Sequence, residues 1–227
     1  MIPQVNKEHY FKKKYDDLNR FISYFYQIDL VNQLRNTKEY ENTKNEDFKI
    51  LEVGKGNGTV SDYLRKLDYQ ITTVDIDPEL KPDQLADIRK LPFKANAFDL
   101  ITAYEVLEHL PFEELETVLK ELKRVSQKYV IISLPYRSTG FEFIFKFPLV
   151  RSLAKKSFFD IFLRIPLKFG GFETSGQHWW EIDGGRYSLR KLRRILSGYF
   201  KIVKEVRPPL NYYHYFFVLE KNHESHT

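Results

Sequence analysis

Apolar positions first recur at helical spacing near the start of the chain. Phe11, Tyr15, Leu18, Phe21, Ile22, Phe25 and Tyr26 fall mostly three and four apart, which predicts one or two amphipathic helices over residues 7 to about 34. A polar stretch, NTKEYENTKNED, follows and reads as a linker. From residue 48 the pattern alternates. FKILEV (48–53) predicts a buried strand and TVSDYLRKL a helix; QITTVDI (70–76) and AFDLITAY (97–104) predict further strands. FEELETVLKELKRVS then predicts a helix and KYVIISLP (128–135) another strand. Short apolar strands alternating with helices imply a parallel sheet covered on both faces, the doubly wound α/β architecture.

After Pro135 the pattern breaks. Residues 136–180 are crowded with Phe, Lys and Arg and interrupted by Pro148, Pro166 and a Gly-Gly pair, so they read as an insert or lid. Within it, Val150, Leu153, Ala154, Phe158, Ile161, Phe162 and Ile165 fit one helical stripe, with Arg151, Lys155, Lys156 and Arg164 off it. This predicts a basic amphipathic helix preceded by FEFIFKF. SLRKLRRILSGY (188–199) predicts a last helix, and FKIVKEVRP and NYYHYFFVLEK predict strands joined as a hairpin through PPLN. The expected organisation is an N-terminal cap and linker (1–47), a core (48–135), the insert (136–180) and a C-terminal helix and hairpin completing the sheet (181–227).

Composition narrows the chemistry. The 227 residues include no cysteine, which excludes disulfides, thiolate zinc sites and cysteine nucleophiles. No stretch approaches the run of about 18 apolar residues that a spanning helix needs, and the N-terminus lacks a signal-peptide core, so a cytoplasmic location is expected, with peripheral membrane contact through 141–168. The net charge of +5 suits an anionic partner. Nucleic acid is the weaker choice, because the cations fall mainly in amphipathic segments outside any RNA-binding module.

The sharpest local signal is ILEVGKGNGTV (50–60). Gly54, Gly56 and Gly58 follow a strand and precede a helix, where backbone N–H groups and a helix N-terminus meet a ligand. Thr59 stands where a dinucleotide fingerprint needs its third glycine, and no Gly-Lys-Ser/Thr follows, which excludes a P-loop. With Glu52 in front, LEVGKGNG resembles the E/D-x-G-x-G-x-G motif of class I S-adenosylmethionine-dependent methyltransferases. Three further segments resemble that family in order: TTVDIDPEL, ADIRKLPFKANAFDLI and AYEVLEHLP.

The resemblance implies a seven-stranded Rossmann-like sheet, mostly parallel with the last strand antiparallel, and S-adenosylmethionine as cofactor. It implies that Asp75, with Ile76 beside it, accepts hydrogen bonds from the ribose hydroxyls. Asp87 would bind the adenine amino group and Ile88 pack on the ring, while the segment from Tyr104 would line the methionine end. Glu52 is expected to orient the glycine loop by accepting backbone N–H bonds. One departure stands out: only eleven residues separate Asp75 from Asp87, and Pro78 and Pro82 fall among them. Prolines there break a helix interior. The intervening helix is therefore expected to shrink to a turn and the third strand to be very short, opening one edge of the adenine pocket.

Methyl transfer to a hydroxyl needs alignment and a base. His109 is one candidate; Glu105 lies four residues before it and shares its face if the segment is helical, though a metal there would need another ligand, and no metal site is expected. His178 and Glu181, flanking two tryptophans in GQHWWEIDGG, are the others; the stretch resembles an H-x-W-E-I segment of related methyltransferases and reads either as a site with a stacking pocket or as an anchor for the lid. No Asp/Asn-Pro-Pro-Tyr/Phe motif follows the fourth strand, which argues against exocyclic nucleobase amines. The expected reaction is O-methylation of a small-molecule, lipid- or glycan-linked acceptor. The rival reading is a non-catalytic S-adenosylmethionine-binding or membrane-associated protein, or an RNA or protein methyltransferase.

Overall fold

The strands in the middle of the sheet are buried along most of their length. A computed structural model describes residues 7–12, 14–147, 158–165, 177–183 and 186–222. Strand β1 (Lys49–Val53) pairs in parallel with β2 (Gln70–Asp75) on one side and β4 (Phe98–Tyr104) on the other. Beyond β2 lies β3 (Gln84–Leu85); beyond β4 come β5 (Ser126–Pro135), β9 (His214–Lys221) and the edge strand β8 (Phe200–Val206). The seven-stranded order is β3-β2-β1-β4-β5-β9-β8, with β9 antiparallel to both neighbours. This is the expected Rossmann-like α/β sheet.

Alternation along the strands divides the core in two. Leu51, Val53, Ile101 and Ile132 pack with helices α4 (Leu115–Val125) and α5 (Leu189–Ser197). Ile50, Leu100 and Ile131 pack with α2 (Leu18–Arg35) and α3 (Thr59–Arg65). The chain leaves β1 towards β2 but passes to the opposite side of β1 at β4, so a crevice opens at the carboxyl ends of these strands.

The shortened crossover is as expected. A 3-10 turn at Pro78–Leu80 and the two-residue β3 stand where a helix and full strand would be. Asp83 ties the segment down, accepting from the Thr73 N–H (2.7 Å), the Thr73 hydroxyl (2.8 Å) and Arg65 (2.6 Å).

Three expectations are corrected. The N-terminal stretch holds a short helix α1 (Lys7–Tyr10) and then α2, but the aromatic stripe does not face the core: Phe11, Leu18, Phe21 and Phe25 are 57–71% exposed. The buried stripe of α2 is Ser23, Tyr24, Gln27, Leu30, Val31 and Leu34, and it can carry polar groups because they pair, Gln27 with Ser23 and Ser23 with His214. The linker is structured as well, with two 3-10 turns and Tyr40 buried edge-on against Phe48 at 4.7 Å.

The third correction concerns the insert. Where the helical stripe predicts helix, residues 159–165 form a strand: β6 (Thr139–Phe145) and β7 (Phe159–Ile165) make an antiparallel ribbon separate from the main sheet. The remainder of that predicted helix, 150–157, lies outside the described residues. Phe158, Ile161, Phe162 and Ile165 satisfy helical spacing, but Phe159, Ile161, Leu163 and Ile165 satisfy a period of two equally well. Pairing with the alternating FEFIF run selects the second pattern. Among the described residues, no helix is long and apolar enough to cross a membrane.

Candidate functional site

At the carboxyl ends of β1, β2 and β4 a cavity of about 430 Å³ is lined by Glu52, Gly54, Gly56, Asp75, Ile76, Asp87, Ile88, Tyr104, His109 and His178, among others. Its volume lies within the usual range for a small-molecule site. The residues singled out in five separate sequence segments therefore meet in one place; Glu181 and Gly58 are not part of the lining.

The glycine loop owes its path to backbone freedom. All three glycines adopt positive φ, and a Cβ on Gly54 would stand 2.4 Å from Val106 Cγ2, so neither its conformation nor its neighbour tolerates a side chain. Lys55 lines the cavity, but its Nζ is taken up by the carbonyls of Leu80 (2.8 Å) and Lys81 (2.7 Å), which links the loop to the shortened crossover. Asp75 is buried; its Oδ1 accepts from the Asp77 N–H at 3.0 Å, and the Gly56 N–H reaches Oδ2 at 3.5 Å. Burial raises its carboxyl pKa, opposed by these backbone donors.

Asp87 is gripped by Arg89, whose guanidinium and backbone N–H both donate to it, and Arg89 reaches on to Glu114 at 2.7 Å. These hydrogen bonds hold the Asp87 carboxyl below its usual range. A carboxylate offers about four acceptor positions, so the Arg89 fork leaves room for one more donor.

Glu52 behaves differently from expectation. Its contacts do not include backbone N–H groups; Ser61 bonds to it, and Oε2 is buried with no partner. Burial pushes its carboxyl up to about 7. A carboxyl whose proton affinity rises on folding lends stability below its unfolded value of about 4.5 and withdraws it as the pH climbs through 7. Urea unfolding of the cofactor-free wild type is expected to lose up to about 3 kcal/mol relative to Glu52→Gln between about pH 4.5 and 7.5. A difference that stays flat with pH would mean the carboxylate is already ionised and paired.

The orphaned Oε2 also provides the fit test for S-adenosylmethionine. A buried acceptor without a donor, a loop lysine turned onto carbonyls, and an acid at the end of β2 suit a cationic ligand bearing an ammonium and two ribose hydroxyls. They do not suit a phosphate.

The far side of the cavity is built from two distant segments. After β4, Glu105 takes φ +53° and residues 107–109 form a 3-10 turn, so Glu105 and His109 do not share an α-helical face. Glu105 instead accepts from the Ser133 hydroxyl at 2.8 Å and lies 3.6 Å from His214 Nε2. The 177–183 segment docks here through the Trp179 N–H, which donates to the Glu108 carbonyl at 2.8 Å. Trp180 is the anchor: it is 2% exposed, donates from its indole to the Leu110 carbonyl at 3.1 Å and packs edge-on against Phe112. Trp179 is exposed, and neither tryptophan lines the cavity, so they form no stacking pocket there.

That docking brings His109 and His178 together with ring centroids 5.0 Å apart. His109 Nδ1 bonds to the Gln177 carbonyl at 2.9 Å, and His178 Nδ1 to Glu181 Oε1 at 2.8 Å. A carbonyl only accepts, so His109 Nδ1 carries the proton, and in the neutral ring its Nε2 keeps its lone pair. Burial lowers the His109 pKa, which keeps the ring neutral. Glu181 is held below its usual range: burial works against this, but hydrogen bonds from His178 and Tyr213 outweigh it. Sequence reasoning missed Tyr10, Tyr15 and Tyr213, which also line the cavity; the first two belong to the aromatic stretch assigned there to an amphipathic helix.

Comparison with known proteins agrees with this geometry. Residues 51–133 match the family described as a methyltransferase domain. No curated protein matches the chain by sequence. Among solved structures, a magnesium protoporphyrin IX methyltransferase from Synechocystis PCC 6803 with bound S-adenosylhomocysteine is 14% identical, with 95% of this chain and 92% of that one covered and a TM-score of 0.60. An S-adenosylmethionine-dependent methyltransferase from Aquifex aeolicus is 17% identical over 96% and 100% of the two chains, at 0.58. A 1,6-didemethyltoxoflavin-N1-methyltransferase from Burkholderia thailandensis is 13% identical over 92% of each, at 0.51. At such identities the likeness establishes the fold, and over residues 51–133 the chain is similar in sequence to the methyltransferase-domain family.

Proposed function

We propose that the chain transfers a methyl group from S-adenosylmethionine to a hydroxyl of a lipid-linked acceptor. The observation that carries the O-methylation reading is the pair of imidazoles, His109 and His178, each oriented through its Nδ1 and both lining the cavity. Glu52, Gly54 and Gly56 would hold the methionine end, Asp75 the ribose, and Asp87 with Ile88 the adenine. Bound there, the cofactor supplies a methyl already activated on a sulfonium. The acceptor hydroxyl would be aligned with that methyl, and its proton would leave to the imidazole face as the oxygen takes the methyl group from sulfur. Glu181 acts through His178, fixing its tautomer and angle.

The ribbon supports a lipid rather than an aqueous acceptor. In its register Phe141, Phe143 and Phe145 stand opposite Leu163, Ile161 and Phe159, so one face carries six apolar side chains, each 40–61% exposed. The other face is docked: the Glu142 carboxylate accepts from the Leu210 N–H at 3.0 Å, Arg207 lies 3.6 Å over the Phe162 ring, and Arg164 pairs with Asp183 at 3.0 Å. The connection between the strands, residues 146–158, contains Lys146, Arg151, Lys155 and Lys156 and no carboxylate in its sequence. Full burial of an aromatic or aliphatic side chain contributes about 1.5–3 kcal/mol, and a cation near an anionic bilayer about 1 kcal/mol. Six half-exposed side chains plus these cations are enough for reversible surface binding.

Transfer from methyl-labelled cofactor into a cell extract tests the reaction, with label expected in the organic-solvent phase. In parallel, wild type is expected to float with liposomes containing anionic lipid, and Phe143→Ser/Ile161→Ser to remain at the bottom. Label confined to aqueous products, with no flotation, would remove the lipid reading and leave methyl transfer standing.

A further inference from the structure

Glu108 has no place in the methyl-transfer scheme, yet among the described residues it is the one carboxylate with both oxygens buried and unpartnered. It is fully buried, and neither Oε1 nor Oε2 has a hydrogen-bond partner. A buried carboxylate without a donor is costly unless something positive reaches it. Arg137 lies on the Glu181 side, 3.6 Å from Glu181 Oε2, and the Glu105 carboxylate adds negative charge beside Glu108. What does stand close is a pair of nitrogen ligands: one carboxylate oxygen of Glu108 and one ring nitrogen from each of His109 and His178 lie within 4.8 Å of one another.

We propose that Glu108, His109 and His178 form a binding site for a divalent transition-metal ion of the zinc type, with a remaining position open to the cavity. The donor set of two imidazoles and one carboxylate is the one that leaves a catalytic zinc an open coordination position, and imidazole donors favour such ions over magnesium or calcium. The surroundings of the histidines point the same way. A metal-bound histidine normally donates its other ring N–H to a carboxylate or a backbone carbonyl. Here His178 has Glu181 as that acceptor and His109 has the Gln177 carbonyl, so both rings are oriented for ligation through the nitrogen left over. His109 and His178 line the cavity, whereas Glu108 does not, which leaves the open position on the acceptor side.

Metal–ligand bonds of about 2.0–2.1 Å place tetrahedral donors roughly 3.4 Å apart, so closing the site needs shifts on the order of 1 Å in side chains only. The Trp179 N–H bond to the Glu108 carbonyl already fixes the two backbones to each other. The role of the ion rests on the methyl-transfer reading and would replace its imidazole base: with both left-over ring nitrogens on the metal, the ion would hold an acceptor oxygen beside the methyl group and acidify its proton, which then leaves to solvent. Binding of the ion does not rest on that reading.

The test is uptake by the full chain after chelation and dialysis, using Zn²⁺ for stoichiometry and Co²⁺ for its visible absorption. One equivalent per chain is expected, with a tetrahedral-type Co²⁺ spectrum. Glu108→Gln and His178→Ala are expected to weaken uptake on the order of 100-fold or more, and Glu181→Gln, which removes only the orienting partner, roughly 10- to 100-fold. Calorimetry with S-adenosylhomocysteine checks that each variant is folded. Failure of folded wild type to take up stoichiometric metal, or equal uptake by the Glu108→Gln/His178→Ala double variant, would overturn the proposal. Because uptake is read without turnover, an inactive but metal-binding protein counts against the methyl-transfer reading alone, and an active metal-free one against the metal site alone.

Discussion

Replacing Asp75 with alanine is expected to weaken S-adenosylhomocysteine binding by at least about 100-fold, read by calorimetry on folded protein. The Asp75 carboxylate lies at the end of β2 on the cavity wall, and its acceptor capacity is only partly taken up by the Asp77 and Gly56 N–H groups. Two ribose hydroxyls donating to it each contribute about 1.5–3 kcal/mol, because one partner is ionised, and 1.4 kcal/mol is a factor of ten in affinity. The same substitution frees the Asp77 and Gly56 N–H groups, which loosens the loop as well. Asp75→Asn keeps the shape but loses the charge and one acceptor, so an intermediate loss is expected. Unchanged binding in Asp75→Ala would place the ribose elsewhere and with it the whole cofactor orientation.

The second large effect is expected on turnover. His178→Ala should lower kcat by about 100- to 10,000-fold, the span usual for loss of a group that handles a proton in the transition state, with cofactor affinity unchanged. Glu181→Gln should lower kcat by a smaller factor, roughly 10- to 100-fold, since the amide still fills the space but no longer fixes the imidazole. The split between kcat and cofactor KM is the informative readout. Glu181 also accepts from Tyr213 and lies near Arg137, so a purely structural role would lower thermal stability and both kinetic constants together. A fall in kcat with an unchanged melting temperature marks positioning.

How much of this could be read from the chain depended on the range over which each feature acts. The glycine loop was legible because its requirement is local: the turn from β1 into α3 needs positive φ at residues 54, 56 and 58 whatever surrounds it. The shortened crossover was legible for the same reason, Pro78 and Pro82 being incompatible with a helix interior. The ribbon was not. Residues 158–165 satisfy both a helical and an alternating pattern, and only pairing with Phe141–Phe145 separates them. The orientation of α2 was misread because aromatic side chains outweigh Ser23 and Gln27 in any hydrophobic count. Those polar side chains are buried because partners reach them, and one of these, His214, lies 191 residues from Ser23.

By itself the sequence determined the alternation of strand and helix, the cysteine-free chemistry, the glycine turn and the order of acids that resembles a class I methyltransferase. Each of these follows from backbone restrictions or residue chemistry acting over a few positions. The tertiary structure alone decided that Glu52 keeps an acceptor without a donor, that the tryptophans anchor rather than stack, and that residues 105–109 meet 177–181. Segments some 70 residues apart are brought together by the Trp179 N–H, the bond from His109 to the Gln177 carbonyl and the buried Trp180 indole, and no local pattern encodes which distant side chain fills a given hydrogen-bond vacancy. The pairing of His109 with His178, on which the proposed acceptor chemistry turns, exists only in the folded chain.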